Sequence, residues 1–176
     1  NRRPYGSYSD LSGYGDIAMT LAADVVALAI RAKVKITSAE SCTGGMISAA
    51  LTDIAGSSAM FEQGFVTYSN AVKTKMLGVS EETLQVHGAV SEPVACEMAS
   101  GALMVSGADI AVSVSGIAGP GASESKPEGR VCFGVASAQG VYCETLEFGT
   151  IGRAEVRKAS TDHALELISY LLKRAY

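Results

Sequence analysis

The sequence predicts a layered α/β/α domain whose mixed sheet includes an antiparallel hairpin, and three observations carry that expectation. Its elements read in the order αβαβααβββα, so helices and strands alternate early and strands gather later. The run Asp109-Ile110-Ala111-Val112-Ser113-Val114-Ser115 has the composition of a buried strand and leads straight into a glycine-rich turn. Two further strand-like runs, Arg130 to Ala138 and Val141 to Phe148, are separated only by Gln139-Gly140, which reads as a tight hairpin.

Each element has its own local reason. Residues 1 to about 15 are rich in Gly, Ser and Tyr without an apolar period, and read as a flexible tail or an expression remnant. Residues 16–176 then form a single domain. Asp16 is positioned to cap a helix reaching about Ala32, with Ile17, Leu21, Val25, Leu28 and Ala29 returning on one face. Val34-Lys35-Ile36 is a short strand, followed by a polar turn from Thr37 to Gly45. The next helix starts at Met46 and ends near Gly56, a C-cap glycine. Phe61 to Tyr68 alternates like a strand, and Ser69-Asn70 leads into a short helix carrying Val72, Lys73, Met76 and Leu77. Ser80-Glu81-Glu82-Thr83 opens a small helix that stops by Gly88. Ser91-Glu92-Pro93 starts a longer one to about Ser106, with proline where its missing N–H does no harm. The last helix, from about Arg153 to Lys173, keeps Val156, Ala159, His163, Leu167 and Leu171 in register.

Composition narrows the functional classes. At 176 residues the chain can bury a core without staples, and with 48% apolar but only 6% aromatic residues that core is aliphatic. A net charge of −4 offers no basic face for nucleic acid, so none is expected as a partner. No apolar run has the length of a membrane span. Cys42, Cys96, Cys132 and Cys143 form no C-x-x-C pair, and no secretory leader pattern is present, so reduced thiols in a cytoplasmic protein are expected. With only two histidines and no H-E-x-x-H, a metal site is not expected.

The stretch from Thr37 to Gly45 concentrates the chemistry. A strand that passes through a glycine-containing turn into a helix aims unpaired N–H groups and the positive end of the helix dipole at one place. That place can hold an oxyanion or a phosphate. Ser41 and Thr43 offer hydroxyls there and Cys42 a thiol, although the same pattern fits an ordinary N-cap. A serine nucleophile needs a base within hydrogen-bond reach. His87 ends a surface-type helix and His163 lies on an apolar stripe, so both read as exposed or structural. Lys73 follows a strand end in a segment of small and apolar residues. It can act as a base if burial, or a second cation such as Lys75 or Lys126, lowers its pKa; a solvated helix lysine is the plain alternative. The turn Ser115-Gly116-Ile117-Ala118-Gly119-Pro120-Gly121 fits ligand binding at the carboxyl edge of a sheet, but is neither a Walker A loop nor a full dinucleotide fingerprint.

Four blocks carry a resemblance: Ala39-Glu40-Ser41-Cys42-Thr43-Gly44-Gly45, Gly64-Phe65-Val66-Thr67-Tyr68-Ser69-Asn70 with Lys73, His87-Gly88-Ala89-Val90-Ser91, and Ser115-Gly116-Ile117-Ala118-Gly119-Pro120. In order, from about residue 17 to 173, they resemble the signature blocks of the CinA carboxy-terminal domain family, whose members include stand-alone nicotinamide-nucleotide amidohydrolases. The resemblance implies hydrolysis of the carboxamide of nicotinamide mononucleotide (NMN) to nicotinate mononucleotide and ammonia. Its small-molecule partner is then a pyridine nucleotide, and no cofactor or metal is required. The family's nucleophilic serine falls on Ser41 and its lysine on Lys73, with Tyr68 assisting proton transfer or orienting the lysine. On that basis the N–H groups around Thr43, Gly44 and Gly45 are the expected oxyanion donors, and Ser115 and Gly116 the far wall. Asn70 joins the expected substrate contacts, Glu40 orients Lys73 or the ribose hydroxyls, and Lys126, Arg130 or Arg153 holds the phosphate.

A homo-oligomer is compatible with this sequence. Some family members carry an amino-terminal domain associated with ADP-ribose pyrophosphatase activity; that activity is not carried over, nor is the association with DNA competence. Two rival readings stand beside the serine–lysine one. Cys42 could attack, since a helix N-terminus lowers a thiol pKa. Alternatively the domain is a non-catalytic nucleotide-binding or protein-interaction module that retains the pocket.

Overall fold

The computed structural model describes residues 17–123 and 126–175; the expected tail and the Asp16 cap lie outside them. Its elements are α1 (Ile17–Ala32), β1 (Ile36–Glu40), α2 (Met46–Thr52), a 3-10 turn (Ser57–Ala59), β2 (Phe65–Val66), α3 (Asn70–Leu77), α4 (Glu81–His87), α5 (Glu92–Ser106), β3 (Ile110–Gly116), β4 (Arg130–Ser137), β5 (Gly140–Glu147) and α6 (Arg153–Ala175). The sheet has five strands in the order β2-β1-β3-β4-β5. β1 runs parallel to both its neighbours, while β3, β4 and β5 are antiparallel, with Ser137 opposite Gly140 at the hairpin. This is the mixed α/β sheet that the sequence predicts.

Alternation along β3 sorts the helices into two layers. Ile110, Val112 and Val114 pack with Val25, Ile47, Leu51, Leu165 and Ile168, so α1, α2 and α6 cover one face. Ala111 packs with Leu77, Leu84, Val94 and Met98 of α3, α4 and α5 on the other. The second layer depends on missing side chains. A Cβ on Gly134 of β4 would stand 2.4 Å from the Ala95 carbonyl of α5, and one on Gly101 of α5 would stand 1.8 Å from the Leu77 carbonyl of α3. Only glycine lets α5 cross the end of α3 so closely, and that crossing fixes the seat of Lys73.

Several expected boundaries move. β1 begins and ends later than Val34 to Ile36, taking in Thr37, Ser38 and Glu40, all fully buried. Their polarity reads as a turn, but distant partners satisfy it: Thr37 Oγ1 donates to the Gln63 carbonyl at 2.9 Å, and Ser38 Oγ lies 2.9 Å from Ser48 Oγ. β2 is shorter than Phe61 to Tyr68, because Phe61 makes only an isolated bridge to Ile36 and Glu62 to Gly64 face outward. Gly56 does not cap α2, which closes at Asp53; with φ of 88° it leads into the 3-10 turn. The expectation of four reduced thiols also fails. Cys96 of α5 and Cys143 of β5 form a disulfide, with Cα atoms 5.8 Å apart. The packing of α5 on the sheet brings them together across 47 residues, which no local spacing reveals. The cysteine argument for a cytoplasmic setting therefore loses its ground. Cys42 and Cys132 remain free and buried. Among the described residues, no helix is long and apolar enough to cross a membrane.

Candidate active site

Two elements from opposite layers meet at the carboxyl end of β1. The turn after Glu40 carries Ser41 toward α2, while β2 leads into α3, which Ser69 caps by accepting from the Val72 N–H at 3.3 Å. One turn into α3, Lys73 is 1% exposed. Its Nζ lies 3.2 Å from Ser41 Oγ and donates to the main-chain carbonyls of Thr67 at 2.8 Å and Tyr68 at 3.4 Å. Burial holds the amine below the ordinary lysine range, opposed only by the Cys42 thiol. The lowering comes from burial and not from a second cation: Lys75 is exposed, and Lys126 donates to the carbonyls of His87 and Val90 instead. Ser41 itself is held by its N–H, which donates to the Val114 carbonyl of β3 at 2.9 Å.

The turn from Ser41 to Gly45 is gripped from two sides. Glu40, fully buried, neither orients Lys73 nor faces a ribose. Its carboxylate accepts from the N–H groups of Gly45, Ile47 and Ser48 at 3.0, 3.1 and 2.9 Å, and from the hydroxyls of Ser38 and Ser48. It therefore fills the positive end of α2 that the sequence offers to an oxyanion or a phosphate. Arg157 of α6 holds the other side, donating to the Cys42 carbonyl at 3.0 Å and the Thr43 carbonyl at 3.2 Å. Nothing local flags this residue, except that it lies one helical turn beyond Arg153. Of the expected oxyanion donors, the Gly45 N–H goes to Glu40 and the Gly44 N–H to the Ser41 carbonyl at 3.0 Å. The Cys42 N–H lies against its own thiol, and the Thr43 N–H, on a fully buried residue, has no backbone partner among the described residues.

A cleft of about 340 Å³ opens over this pair, with Ser41, Cys42 and Lys73 on one side and Ser115, Gly116 and the loop through Ser123 on the other. Ser115 Oγ donates to the Ala89 carbonyl at 2.7 Å, tying β3 to the segment before α5. At the mouth, Arg153 Nη2 donates to the Tyr68 hydroxyl at 3.1 Å and Nη1 to the Gly119 carbonyl at 2.7 Å. Tyr68 thus reaches Lys73 through its carbonyl, while its exposed phenol pairs with Arg153. Of the three cations offered for a phosphate, Arg153 lines the cleft; Arg130 pairs with Glu147 at 2.6 Å, and Lys126 is held by carbonyls. Glu40, Thr43, Gly44, Gly45 and Asn70 do not line the cleft; Asn70 is exposed at the start of α3.

The remaining titratable groups fall elsewhere. Burial pushes the Cys42 thiol up to about 11, against weaker lowering by its own N–H and by Arg157. His163 is buried against Phe133 and lies 2.6 Å from Glu144, while His87 is exposed. Among the described residues, no group of three or more His, Cys, Asp or Glu could hold a metal ion.

Comparison with known proteins follows this geometry closely. The family model of the CinA C-terminal domain matches residues 18–172. The nicotinamide-nucleotide amidohydrolase PncC of Escherichia coli (strain K12) is 57% identical over 134 residues, covering 76% of this chain and 81% of that protein. A putative competence-damage inducible protein of Caldicellulosiruptor saccharolyticus is 48% identical over 157 residues, which are 88% of this chain but 38% of that longer one. The crystal structure of competence/damage inducible protein CihA from Agrobacterium tumefaciens superposes with a TM-score of 0.87 at 44% identity, covering 93% of this chain and all of that one. With the sheet, the order of its blocks and the family model in agreement, this chain belongs to the CinA C-terminal domain family.

Proposed function

We propose that this protein hydrolyses the carboxamide of NMN to nicotinate mononucleotide and ammonia, with Ser41 as nucleophile and Lys73 as its base. The observation that carries the reading is the 3.2 Å approach of Lys73 Nζ to Ser41 Oγ, in a buried setting where, among the described residues, no carboxylate holds the amine charged. The substrate rests on the name of the Escherichia coli relative and on an arginine at the cleft mouth suited to a phosphate.

The neutral amine takes the Ser41 proton as Oγ attacks the carboxamide carbon. The carbonyl oxygen becomes an oxyanion, and the Cys42 N–H, on a residue that lines the cleft and held by no acceptor beyond its own thiol among the described residues, is the expected donor. The Lys73 ammonium then gives its proton to the departing nitrogen, so ammonia leaves and an acyl-serine remains. Water, deprotonated by the same amine, attacks that ester, releases the carboxylate and restores the serine. The carbonyls of Thr67 and Tyr68 keep the amine aimed throughout. Such a step returns a nicotinamide nucleotide to the nicotinate pool, a cytoplasmic salvage reaction. A thiol mechanism fares worse, because burial leaves Cys42 with little thiolate near neutrality.

Ammonia release from NMN, nicotinamide riboside and NAD, measured beside Ser41→Ala and Cys42→Ala, tests the reading. Release from NMN is expected, falling at least about 10³-fold in Ser41→Ala and persisting in Cys42→Ala. The opposite ranking of the two variants sinks the serine–lysine mechanism. A folded protein that binds NMN without releasing ammonia is a binding module, and the enzymatic reading fails with it.

A further inference from the structure

We propose that the carboxylate of the product supplies the counter-ion that the fold withholds from Lys73, so that nicotinate mononucleotide binds this site together with one proton and inhibits the enzyme more strongly as pH falls. The inference rests on the reading of Ser41 and Lys73 as nucleophile and base, and adds to it a regulation by the product.

The directions around Nζ carry the first step. A neutral amine has two hydrogens and one lone pair. The carbonyls of Thr67 at 2.8 Å and Tyr68 at 3.4 Å accept the two hydrogens, and the third direction faces Ser41 Oγ at 3.2 Å. That direction holds the lone pair when the amine is neutral and an N–H when it is charged. Hydrolysis of the acyl-serine sets a carboxyl group against it. The amine takes a proton from water as the water oxygen bonds to the acyl carbon, and returns it to Oγ as the ester bond breaks. A carboxylic acid is far stronger than an alkylammonium, so the acid left behind gives its proton to Lys73 and the product is formed as an ion pair. One carboxylate oxygen is the former water oxygen, which was within hydrogen-bond reach of Nζ when the amine deprotonated it.

The surroundings carry the second step. Among the described residues that line the cleft, Lys73 and Arg153 are the only charged ones, and both are cations. The titratable groups on neighbouring elements are engaged elsewhere. The Glu40 carboxylate is held by the N–H groups of α2, the Cys42 thiol is pushed up to about 11 by burial, and the Tyr68 phenol pairs with Arg153. Arg157 holds the Cys42 and Thr43 carbonyls. From α5, Met98, Gly101 and Ala102 pack on the end of α3, while Glu97 accepts from the Ser80 N–H and the Thr83 hydroxyl, and Cys96 is bonded to Cys143. Glu81, Glu82 and His87 of α4 and Lys75 of α3 are exposed. Burial holds the free amine below the ordinary lysine range. A carboxylate in contact opposes that, since an opposite charge within about 4–6 Å favours the charged form by about 1–3 pH units. The substrate carboxamide has the same shape without the charge. Product affinity is therefore greatest below the free amine's pKa and weakens about tenfold per pH unit above it, by about 10- to 1,000-fold in all. The same titration removes the base, so the acid limb of kcat/KM for NMN shares that midpoint.

The test is calorimetry on the full chain carrying Ser41→Ala, which is expected to hold NMN uncleaved, with NMN and nicotinate mononucleotide as the two probes. Their phosphates titrate alike and cancel in the ratio of the two dissociation constants. That ratio should favour nicotinate mononucleotide by about 10- to 1,000-fold more at low pH than at high pH. Above the amine's pKa, titrations in buffers of different ionisation heat should show about one more proton taken up with nicotinate mononucleotide than with NMN. Adding Lys73→Met should erase both the pH dependence and the extra proton. In wild type, the inhibition constant of nicotinate mononucleotide for ammonia release should begin to rise at the pH where kcat/KM for NMN reaches its plateau; this measurement decides if the double variant does not fold. A ratio that does not change with pH, no extra proton, or a pH dependence that survives Lys73→Met overturns the proposal. If wild type hydrolyses NMN and the preference is absent, this inference alone falls. If the preference appears but NMN releases no ammonia, the deamidation reading fails and the carboxylate site stands. If neither nucleotide binds, both fall.

Discussion

Replacing Lys73 with arginine keeps a cation at the same point of α3 while removing its ability to give up a proton, so the substitution separates charge from basicity. The amine is 1% exposed and meets two carbonyls and one hydroxyl, and burial holds its pKa below the lysine range. Each unit of lowering raises the neutral fraction at a given pH about tenfold and corresponds to about 1.4 kcal/mol. Arginine starts far above lysine, so the same burial leaves it charged and Ser41 without a base. A positioned general base contributes about 10²–10⁴ in rate, and that is the drop expected in kcat on NMN, with the circular dichroism spectrum retained. Stability gives a second readout. Lys73 binds its proton less tightly folded than unfolded, so its penalty on folding is full below the folded pKa and gone above the unfolded one, about 10.4. As pH rises through that interval, wild type should gain stability relative to Lys73→Met, which carries no proton in either state. Denaturant melts of both proteins from mildly acid to strongly basic pH measure the gap. A gap that stays flat, or Lys73→Arg retaining activity within about threefold of wild type, would refute the reasoning.

Three other outcomes follow from particular contacts. Arg153→Gln should raise KM for NMN while leaving KM for nicotinamide riboside nearly unchanged, because only the nucleotide carries a phosphate to meet the cleft mouth; equal effects on both would remove Arg153 from that role. Gly101→Ala forces a Cβ to within 1.8 Å of the Leu77 carbonyl unless α5 or α3 moves, so we expect a loss of about 1–3 kcal/mol in urea melts and reduced kcat as Lys73 shifts. His163 is pushed down by burial, but the Glu144 and Glu166 carboxylates outweigh that and hold its pKa raised, while Glu144 is held low despite burial by the bond to His163. Their mutual stabilisation is fullest between about pH 4.3 and 6.5, the unfolded values of Glu and His. It fades as pH rises through the folded value of His163 or falls through that of Glu144. The Tm gap between wild type and His163→Gln should peak in that window and shrink toward alkaline pH.

Local signals made most of the frame legible. Ser69, Ser80 and Ser91 each cap the helix they announce, and the hairpin turns one residue earlier than Gln139-Gly140 suggests, at Ala138-Gln139, with Gly140 already paired to Ser137. The extent of β1 was hidden, though not its presence, because Thr37, Ser38 and Glu40 look like turn residues until Gln63 and Ser48 arrive to satisfy them. The same limit applied at the site. Ser41 and Lys73 carry reactive groups that can be named from the chain, whereas the tasks of Glu40, Lys126 and Arg157 are set by partners that only the folded chain brings near. Residue type announces what a side chain can do; its neighbours decide what it is occupied with.

The nucleophile leads into α2 in one helical layer, and its base stands on α3 in the other, with the edge of the sheet between them. Turnover therefore gauges the alignment of the whole sandwich. A slip between its layers of little more than a bond length breaks the 3.2 Å contact while every helix and strand survives. In mild denaturant, catalysis should be the first property to disappear, well ahead of any spectroscopic sign of unfolding.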